Sequence, residues 1–591
     1  MRTLALARTH GAPPVSDSAQ AAGTGGGGRV VLAVGVAAVT ALVFAPSLRN
    51  GFVEWDDTGL LVDNAAYRGL GWNQLRWMAT FGIDSVLWGM WPAGYHLTNV
   101  LLHSANVMLV FVIAVWFLSK ATSLPPRARR MGAVAAALLF ALHPLRVEAV
   151  TWVTGRLDVL SGFWFLVMIL TYLRASEAEG RPRQRWLLGS LAALTLGLLS
   201  KPVVMAAPLV LIILDVYPLR RLLGDPRQWT SSAAREVWRE KLPFGALGLA
   251  GAVVSYYSQA RRAGLTVLDL PAWLGTVLFT LWFHVEKTLA PVGLSPLYEL
   301  PVRINPYEGQ FAVAGVGVLA ISLALVVLRG AWPTGLAAWL SYAVLLAPVS
   351  GFVHAGPQVT ADRYSYLPGL AWAIVVGAGV GWLVHRRAWA WVGVGAVGLA
   401  VLGALTLRQQ AVWRDTGRLW EHAARVTPDC AECRVNFGNW LHAHGREAEA
   451  IAEYGASLAL RPDRVGVHTN VGLVLVRLGR VAEALPHYEQ ALARHPDWLG
   501  VRLSLASALI SLGRRPEAVA RLGEATRIGS PVTLVEALRM QGAARPADPA
   551  PRLGLVQVYL AAGDRAQAAV ELRALERLDP DLARLVAPGT R

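Results

Sequence analysis

The sequence predicts an all-α protein in which a polytopic helical membrane bundle is followed by an α-solenoid of short helical repeats. Of its 591 residues, 54% are hydrophobic and only 16% are charged, with a mean hydropathy of +0.42. A soluble chain of average composition carries about a quarter charged residues. Long apolar runs fill the first two thirds of the chain, and a 34-residue period follows them. These observations exclude a wholly soluble enzyme, a collagen-like chain, a disordered chain and, with only 2 Cys, a disulfide scaffold.

The net charge of +16 and the isoelectric point near 10.3 could indicate a nucleic-acid-binding protein. Such a protein gathers its basic residues on one face or stripe of a folded domain. Here the arginines instead stand between apolar runs, as in residues 127–130, 181–185 and 386–387. Polytopic membrane proteins mark their cytoplasmic loops in this way. The charge pattern therefore predicts a membrane protein with no nucleic-acid partner.

The chain begins with a segment, residues 1–28, that is rich in Ala, Gly, Ser and Pro. We predict a disordered cytoplasmic tail there, because the segment has no apolar run able to pack. The run that follows, 29–48, is long enough to span a bilayer, and the tail before it is too long for a signal peptide. A retained signal anchor is therefore favoured over a cleaved one. The N-terminus is then cytoplasmic, and residues 51–94 form a long first extracytoplasmic loop.

Twelve apolar runs precede residue 407, and the number that cross the membrane decides where the C-terminal domain lies. Arg-rich loops counted from both ends obey the positive-inside rule only if one segment between 260 and 311 does not cross. The run 270–290, bracketed by Pro271 and Pro291, is the natural candidate for an interfacial or re-entrant helix. We therefore predict about eleven spans in an inner-membrane domain at 29–407 and an extracytoplasmic C-terminal domain.

A 34-residue period organises the C-terminal third of the chain. Its anchors are Gly445, Gly479 and Gly513; Ala450, Ala484 and Ala518; and Pro462 and Pro496. After an interruption of 16 residues the pattern resumes at Gly563, Ala568 and Pro580. A period of this length, with Gly at a helix–helix turn and Pro closing the unit, is typical of tetratricopeptide (TPR) repeats. We predict a linker helix at 408–431 and a TPR domain at 432–591, whose concave face binds a polypeptide.

Adjacent carboxylates, Asp56 and Asp57, follow the first span. They form either a solvated loop turn or a working pair that binds a cation or takes a proton. The next span carries His96, Asn99, His103 and Asn106 on one helix face, and structural hydrogen bonds between helices could explain one or two of the four. Hydrocarbon penalises such groups, so this face is expected to line the bundle interior or a water-filled cavity.

Further polar side chains occupy the later extracytoplasmic turns. They are His143, Arg146, Glu148, Arg156, Asp158, Lys201, Asp362, Arg363 and Tyr364. Between apolar helices such groups are expensive unless they are paired or functional, and structural ion pairs remain an alternative. Under the predicted topology all of them lie on one side of the bilayer. This convergence is the strongest indication of function in the sequence.

An acidic pair and several cations at a wet membrane face suit the transfer of a group from a lipid phosphate. Cations would hold the phosphate charge, and Arg can bind it in a bidentate way. A carboxylate would deprotonate the acceptor as general base, or orient it through a divalent cation. The sequence has neither a P-loop nor a dinucleotide fingerprint. Because nucleotide sugars are absent outside the cytoplasm, a lipid-linked sugar donor is the expected co-substrate.

Several motifs, taken in this order, resemble the transmembrane and TPR-containing O-mannosyltransferases, which are polytopic GT-C glycosyltransferases. The motifs are Gly51 to Asp57 (GFVEWDD), Tyr95 to Asn99 (YHLTN) with His103, His143 to Ala149 (HPLRVEA) with Gly155 to Asp158 (GRLD), Leu199 to Lys201 (LSK), Ala361 to Pro368 (ADRYSYLP) and the 34-residue repeats. The resemblance covers most of residues 30–530 and suggests a bacterial member. It implies a GT-C-like membrane domain and inverting transfer of mannose, or another sugar, from a polyprenyl-phosphate donor to Ser or Thr of an exported protein.

By this resemblance, Asp56 and Asp57 match the acidic pair of the first loop, and one of them is the general base. They are also the candidate ligands of any divalent cation. We assign donor-phosphate contacts to His143, Arg156, Lys201 and Arg363. The predicted acceptor-contacting or cavity-lining residues are His96, Asn99, His103, Glu148, Asp158, Asp362 and Tyr364. The expected partners are membrane lipid, a polyprenyl-phosphate sugar, and a polypeptide bound in the TPR groove.

Two other functions remain open on the sequence alone. A non-catalytic scaffold would use the membrane part only as an anchor for the repeats. A lipid or ion transporter would distribute ionisable groups through the bilayer midplane, whereas here they cluster at one interface.

Cys430 and Cys433 have the C-x-x-C spacing. No strand precedes them, and two Cys alone make a poor zinc site. A local disulfide is therefore favoured over a redox-active or zinc-binding site.

Overall fold

The computed structural model describes residues 25–222, 226–262, 266–351, 356–527 and 530–590. Within these ranges the chain is almost entirely helical, which confirms the all-α prediction. It divides into two compact units, residues 1–419 and 420–591. Of the predicted N-terminal tail, residues 1–24 lie outside the described residues, and helix α1 begins at Gly25.

The described part of the first unit contains fourteen α-helices and one small antiparallel sheet. The elements are α1 Gly25–Phe44, α2 Trp72–Trp88, α3 Pro92–Ala121, α4 Pro126–Leu142, α5 Val147–Thr151, α6 Arg156–Ser176, α7 Gly180–Ser200, α8 Ala207–Val216, α9 Ser232–Arg262, α10 Leu270–Leu289, β1 Tyr298–Glu299, α11 Gly309–Val327, α12 Pro333–Leu346, β2 Gln358–Thr360, α13 Gly369–His385 and α14 Trp389–Gln410. The two strands pair with Tyr298 opposite Thr360. This pairing joins the segment after α10 to the segment that precedes α13.

Five helical segments of the described chain are long and apolar enough to cross a membrane. They are Gly27–Arg49, Pro92–Ala121, Arg156–Ser176, Gly309–Gly330 and Trp389–Arg414. A sixth would be the pair Pro126–Leu142 and Pro144–Thr151, which is bent by 57°. Shorter apolar helices accompany them, including Pro202–Val216 and Gly369–His385. Helix α10 is continuous over the run at 270–290. The count of eleven spans and the interfacial placement of that run stay predictions.

Two prolines end helices of the first unit, and each directly follows a polar residue. The residue before a proline is disfavoured in the helical conformation. His143, before Pro144, has ψ 130°, and Lys201, before Pro202, has φ −157° and ψ 129°. Helices α4 and α7 therefore end at these positions, and both polar side chains lie at breaks between apolar helices.

The second unit is a stack of helical hairpins, as the TPR pattern predicts. Its helices are α15 Thr416–Val426, which contains the unit boundary, α16 Ala431–Ala443, α17 Glu447–Leu460, α18 Val465–Arg477, α19 Val481–Arg494, α20 Leu499–Ser511, α21 Arg515–Gly523, α22 Pro531–Ala544, α23 Pro549–Ala561, α24 Arg565–Leu578 and α25 Pro580–Val586. The periodic glycines at the hairpin turns, from Gly445 to Gly563, have φ between +72° and +77°. Only Gly adopts this left-handed conformation at little cost, which explains why a glycine recurs at the same position of each repeat. The additional helix α22 occupies the interruption of the pattern.

In the first two hairpins a glycine lies against an aromatic ring. A Cβ atom on Gly438 would lie 2.6 Å from the ring of Tyr454, and one on Gly472 would lie 2.5 Å from Tyr488. Cys430 and Cys433 form the local disulfide favoured by their spacing, with an S–S distance of 2.02 Å.

Candidate active site

Polar side chains from several separate segments converge at one end of the first unit. The segments are the loop 50–64 after α1, the turns 143–146 and 152–155, the break at 201–206 after α7, and the turn 362–365 after β2. Hydrogen bonds link them: Asp57 to Thr154, Lys201 to Asp158, and Arg363 to Glu148. The convergence expected from the sequence is therefore present in the fold.

Asp57 is buried and holds the first loop in place. Its Oδ2 accepts a hydrogen bond from the backbone N–H of Val53 at 3.1 Å, and its Oδ1 accepts one from the backbone N–H of Thr154 at 3.1 Å. Burial raises the pKa of Asp57 to about 6. Because both carboxylate oxygens bind backbone groups, Asp57 positions its neighbour and the turn before α6.

Asp56 is the exposed member of the pair. Burial raises the pKa of this carboxyl group above its ordinary value, and the positive charges of Arg363 and Lys201 oppose that rise. Its side chain is open to water, and we call the space around it, toward Lys201 and Arg363, the cleft. Asp56 is therefore the carboxylate that a substrate can reach, and two cations lie close enough to influence its charge.

We expect the stability of the protein to depend on pH through the ionisation of Asp57. Its pKa in the folded protein, about 6, exceeds the ordinary value of 3.8, so folding favours the protonated form. The stability contributed by Asp57 is thus complete below about pH 4 and is lost as the pH rises through about 6. The difference of roughly two units corresponds to about 3 kcal/mol. Between pH 4 and 7.5 the Tm of the wild type in detergent should fall relative to that of Asp57→Asn. A Tm difference that does not change with pH would contradict this expectation.

Each of the two cations is held by a buried carboxylate. Lys201 Nζ donates to both carboxylate oxygens of Asp158 at 2.7 Å. The Arg363 guanidinium pairs with Glu148, whose Oε2 also accepts from the Arg363 backbone N–H at 2.7 Å. Lys201 retains 24% side-chain exposure, whereas Arg363 is buried. The acids orient the cations and offset the cost of placing charge between apolar helices.

A second layer of polar groups supports Arg363. Its Nη2 donates to Gln358 Oε1 at 3.2 Å, and its guanidinium lies 5.4 Å from the ring centroid of Trp152. The Tyr364 hydroxyl accepts from Gln358 Nε2 at 2.6 Å. The adjacent Asp362 is buried and accepts from the Tyr298 hydroxyl at 2.9 Å. The supporting Gln358 and Tyr298, on β2 and β1, were not predicted because nothing in the sequence indicates that these strands pair.

The structure corrects the assignment of Arg156 as a phosphate contact. Its guanidinium is fully buried, and Nη1 lies 2.5 Å from Asp84 Oδ2. Nε donates to Asn99 Oδ1 and Nη2 to the backbone oxygen of Tyr95, both at 2.7 Å. With its donors used inside the bundle, Arg156 links α2, α3 and α6. The partner Asp84 was missed, although a lone acid in an otherwise apolar stretch was an available signal.

His143 has a similar structural position. Its ring is buried, with Nε2 3.0 Å from the backbone oxygen of Thr288. Nδ1 accepts from the backbone N–H of Leu145 at 3.3 Å, which caps the turn 144–146. Since both ring nitrogens are engaged with backbone groups, His143 is not placed to contact a donor phosphate.

The polar stripe of α3 is buried in the bundle interior, one of the two expected locations, and does not line an open cavity. His96, Asn99 and His103 are each no more than 1% exposed. Asn99 donates to the backbone oxygen of Trp152 at 2.9 Å, and His103 Nδ1 lies 2.8 Å from the Tyr366 hydroxyl. Asn99 and His103 thus hold segments that carry the site, which is a positioning role in place of the predicted cavity-lining one.

A second buried ionic network was also missed by the sequence analysis. At the other end of α6, Asp215 accepts from the Tyr172 hydroxyl at 2.7 Å, from Arg221 at 3.1 Å and from Lys241 at 2.6 Å. Arg221 also pairs with Glu240 at 2.5 Å. The network joins α6, α8 and α9, and none of its hydrogen bonds or ion pairs among the described residues involves Asp56, Lys201 or Arg363.

Residues 89–237 match the family model described as dolichyl-phosphate-mannose-protein mannosyltransferase, and residues 475–539 match a tetratricopeptide repeat. Among curated proteins, the chain is 26% identical over 463 residues to protein O-mannosyl-transferase Tmtc3 of Drosophila melanogaster, covering 66% of this chain and 48% of that one. It is 25% identical over 428 residues to human protein O-mannosyl-transferase TMTC1, covering 65% and 47%.

The chain thus spans about half the length of these curated relatives. Among solved structures, ArnT from Cupriavidus metallidurans bound to undecaprenyl phosphate matches at 18% identity with a TM-score of 0.33, over 78% of this chain and 80% of that one. The resemblance to transmembrane and TPR-containing O-mannosyltransferases, inferred from the motifs, is confirmed.

Proposed function

We propose that this protein is an extracytoplasmic glycosyltransferase that moves a sugar from a polyprenyl-phosphate donor to Ser or Thr hydroxyls of exported proteins. The names of its relatives favour mannose as the sugar. One observation carries the proposal: Asp56 is an exposed carboxylate under the influence of Lys201 and Arg363. A proton acceptor is therefore within electrostatic reach of two cations that are suited to a phosphate.

The proposed chemistry is a single displacement. Asp56 takes the proton of the acceptor hydroxyl as its oxygen forms a bond to the anomeric carbon. The bond between that carbon and the donor phosphate oxygen breaks, and its electron pair stays on the phosphate. Lys201 and Arg363 stabilise the charge that develops there. Attack from the face opposite the leaving phosphate inverts the anomeric configuration.

An apolar cavity of about 490 Å³ in the first unit supports a lipid-linked donor. It lies between α3, α6, α8, α12 and α13. Its lining includes Leu345 near the end of α12 and Leu370 in the first turn of α13, directly after the turn that carries Arg363. A polyprenyl chain that lies there with its phosphate end toward Leu345 and Leu370 would direct the phosphate to the side of the cavity from which the chain leads to Arg363.

A divalent cation, if used, would rely on Asp56 and on oxygens of the donor. Within the described residues, no three His, Cys, Asp or Glu side chains are grouped so that they could hold a metal ion. Mg²⁺ is commonly bound by one or two carboxylates together with substrate phosphates, so a single open carboxylate fits this ion. Bound there, the ion would supply positive charge near the donor phosphate.

The TPR unit supports a polypeptide acceptor or partner, because stacked helical hairpins present an extended concave surface. We place this unit outside the cytoplasm. The Cys430–Cys433 disulfide supports that placement, since disulfides persist in oxidising compartments.

The decisive test is sugar transfer by the purified full chain. The protein would be incubated with polyprenyl-phosphate mannose and other polyprenyl-phosphate sugars and with a Ser/Thr-rich exported polypeptide, with and without EDTA. We expect incorporation of sugar into the polypeptide. Loss of incorporation in EDTA that Mg²⁺ restores would indicate a cation, whereas no incorporation from any donor would exclude the proposed activity.

The orientation is testable in cells. A reporter pair that is active either only in the cytoplasm or only outside it would be fused after residue 407. We expect the extracytoplasmic reporter to be active. A signal from the cytoplasmic reporter alone would show that the C-terminal unit lies in the cytoplasm. The argument for a lipid-linked donor from the absence of nucleotide sugars outside the cytoplasm would then no longer apply.

A further inference from the structure

A second cavity, of about 650 Å³ and lined by both charged and apolar side chains, opens between α1, α3, α4 and α6. Four arginines surround it: Arg29, Arg129, Arg130 and Arg174. Its apolar walls are formed by Val30, Ala33, Met108, Phe111, Val112, Val115 and Leu170. We call this cavity the arginine pocket. It combines a cationic rim with a hydrocarbon-like interior.

The arginine pocket lies at the opposite end of the bundle from Asp56. Helix α3 carries Asn99 of the candidate site near its start and Ser119 of the pocket near its end. Helix α6 likewise begins beside Asp158 and reaches the pocket at Arg174. The pocket is therefore separate from the cleft and faces the predicted cytoplasmic side.

Among the described residues, no carboxylate lies within ion-pair distance of Arg29, Arg129, Arg130 or Arg174, although Glu177 interacts electrostatically with Arg174. Arg129 and Arg130, in the first turns of α4, are half-buried against the pocket. The neighbouring carboxylate Glu177 accepts from Lys120 at 2.9 Å and from Trp116 Nε1 at 2.9 Å. Because Glu177 has these two partners, the pair of half-buried arginines is left for an external anion.

The positive-inside rule accounts for arginines on this side of the membrane but not for their convergence. Topology is satisfied by any basic loop residue, such as the exposed Arg181 and Arg185, which lie outside the pocket. A phosphate alone would satisfy the arginines and leave the apolar walls without a partner. A ligand with an anionic head and hydrocarbon tails matches both features.

We propose that the arginine pocket binds an anionic glycerophospholipid. Its phosphodiester contacts Arg129 and Arg130, with Arg29 and Arg174 at the rim, and its acyl chains lie along the walls formed by α1, α3 and α6. The bound lipid would join the ends of four helices. Three of these, α3, α4 and α6, carry or adjoin the turns of the candidate site.

The test measures lipid binding to the purified full chain in detergent by native mass spectrometry. Dioleoyl phosphatidylglycerol is the probe, and dioleoyl phosphatidylcholine is the zwitterionic comparison. We expect the wild type to retain phosphatidylglycerol preferentially. In the double variant R129Q/R130Q this binding should weaken roughly tenfold or more, since each Lys or Arg near an anionic lipid headgroup adds to the free energy of binding. The matched double variant R181Q/R185Q, with the same loss of charge, should bind like the wild type.

Two further measurements keep the test decisive if the arginine variant folds poorly. The larger side chain of Val112→Trp occupies the space along the apolar wall of the pocket without changing the charge, and it should also weaken phosphatidylglycerol binding. Inorganic phosphate at millimolar concentration should not displace the lipid. The proposal is overturned if phosphatidylglycerol and phosphatidylcholine bind equally, if folded R129Q/R130Q and Val112→Trp both bind like the wild type, or if phosphate alone displaces the lipid. None of these readouts depends on sugar transfer.

Discussion

Asp56→Asn is expected to abolish sugar transfer while the protein remains folded. The asparagine keeps the size of the side chain but cannot take the proton of the acceptor hydroxyl. Removal of a general base typically lowers the rate by about 10²–10⁴-fold. Asp56 is exposed and accepts no structural hydrogen bond comparable to those of Asp57. The Tm should therefore change little, and the loss should appear in kcat.

Asp63→Asn is the matched control for this experiment. Asp63 is exposed in the same loop, and its replacement removes the same charge. We expect this variant to retain transfer. If Asp56→Asn is as active as Asp63→Asn, Asp56 is not the base. If membrane insertion is normal and neither wild type nor variant transfers sugar, the scaffold alternative is favoured.

Arg156→Met is expected to destabilise the protein strongly and to act on activity only through folding. The substitution leaves Asp84 buried without its cationic partner, and it removes the hydrogen bond to Asn99. Breaking a buried pair by removing one partner typically costs about 3–5 kcal/mol. We expect a large fall in Tm in detergent. Lys201→Met also leaves a carboxylate, Asp158, without its cation, but Lys201 is partly exposed, so this variant should lower the Tm less than Arg156→Met and should raise the KM for the lipid-linked donor.

A double variant separates the ion pair from other effects of the Arg156 substitution. Asp84→Leu combined with Arg156→Met removes both charges. The destabilisation of this double variant should be smaller than the summed destabilisation of the two single variants, because no unpaired charge is left buried. If Arg156→Met keeps the wild-type Tm and only weakens donor binding, the original assignment of Arg156 to the phosphate is correct and the structural role is wrong.

The sequence was sufficient for features that depend on local pattern. Hydropathy and charge placement predicted a helical membrane part, because apolar runs and basic loops report their environment residue by residue. The 34-residue period predicted the helical hairpins, since each turn requires a glycine such as Gly479 at positive φ. The predicted topology also placed Asp56, Lys201 and Arg363 on one side of the membrane, together with His143 and Arg156.

Only the tertiary structure decided which of the predicted polar residues are available. Asp56 and Asp57 are adjacent in the chain, yet the backbone N–H groups of Val53 and Thr154 bind one and leave the other in the cleft. Arg156 and Arg363 stand at or shortly before the start of an apolar helix, α6 and α13 respectively, but the buried Asp84 engages the first. Whether a charged side chain is a ligand or a structural link depends on the partner that folding brings to it from elsewhere in the chain, and sequence spacing does not contain that information.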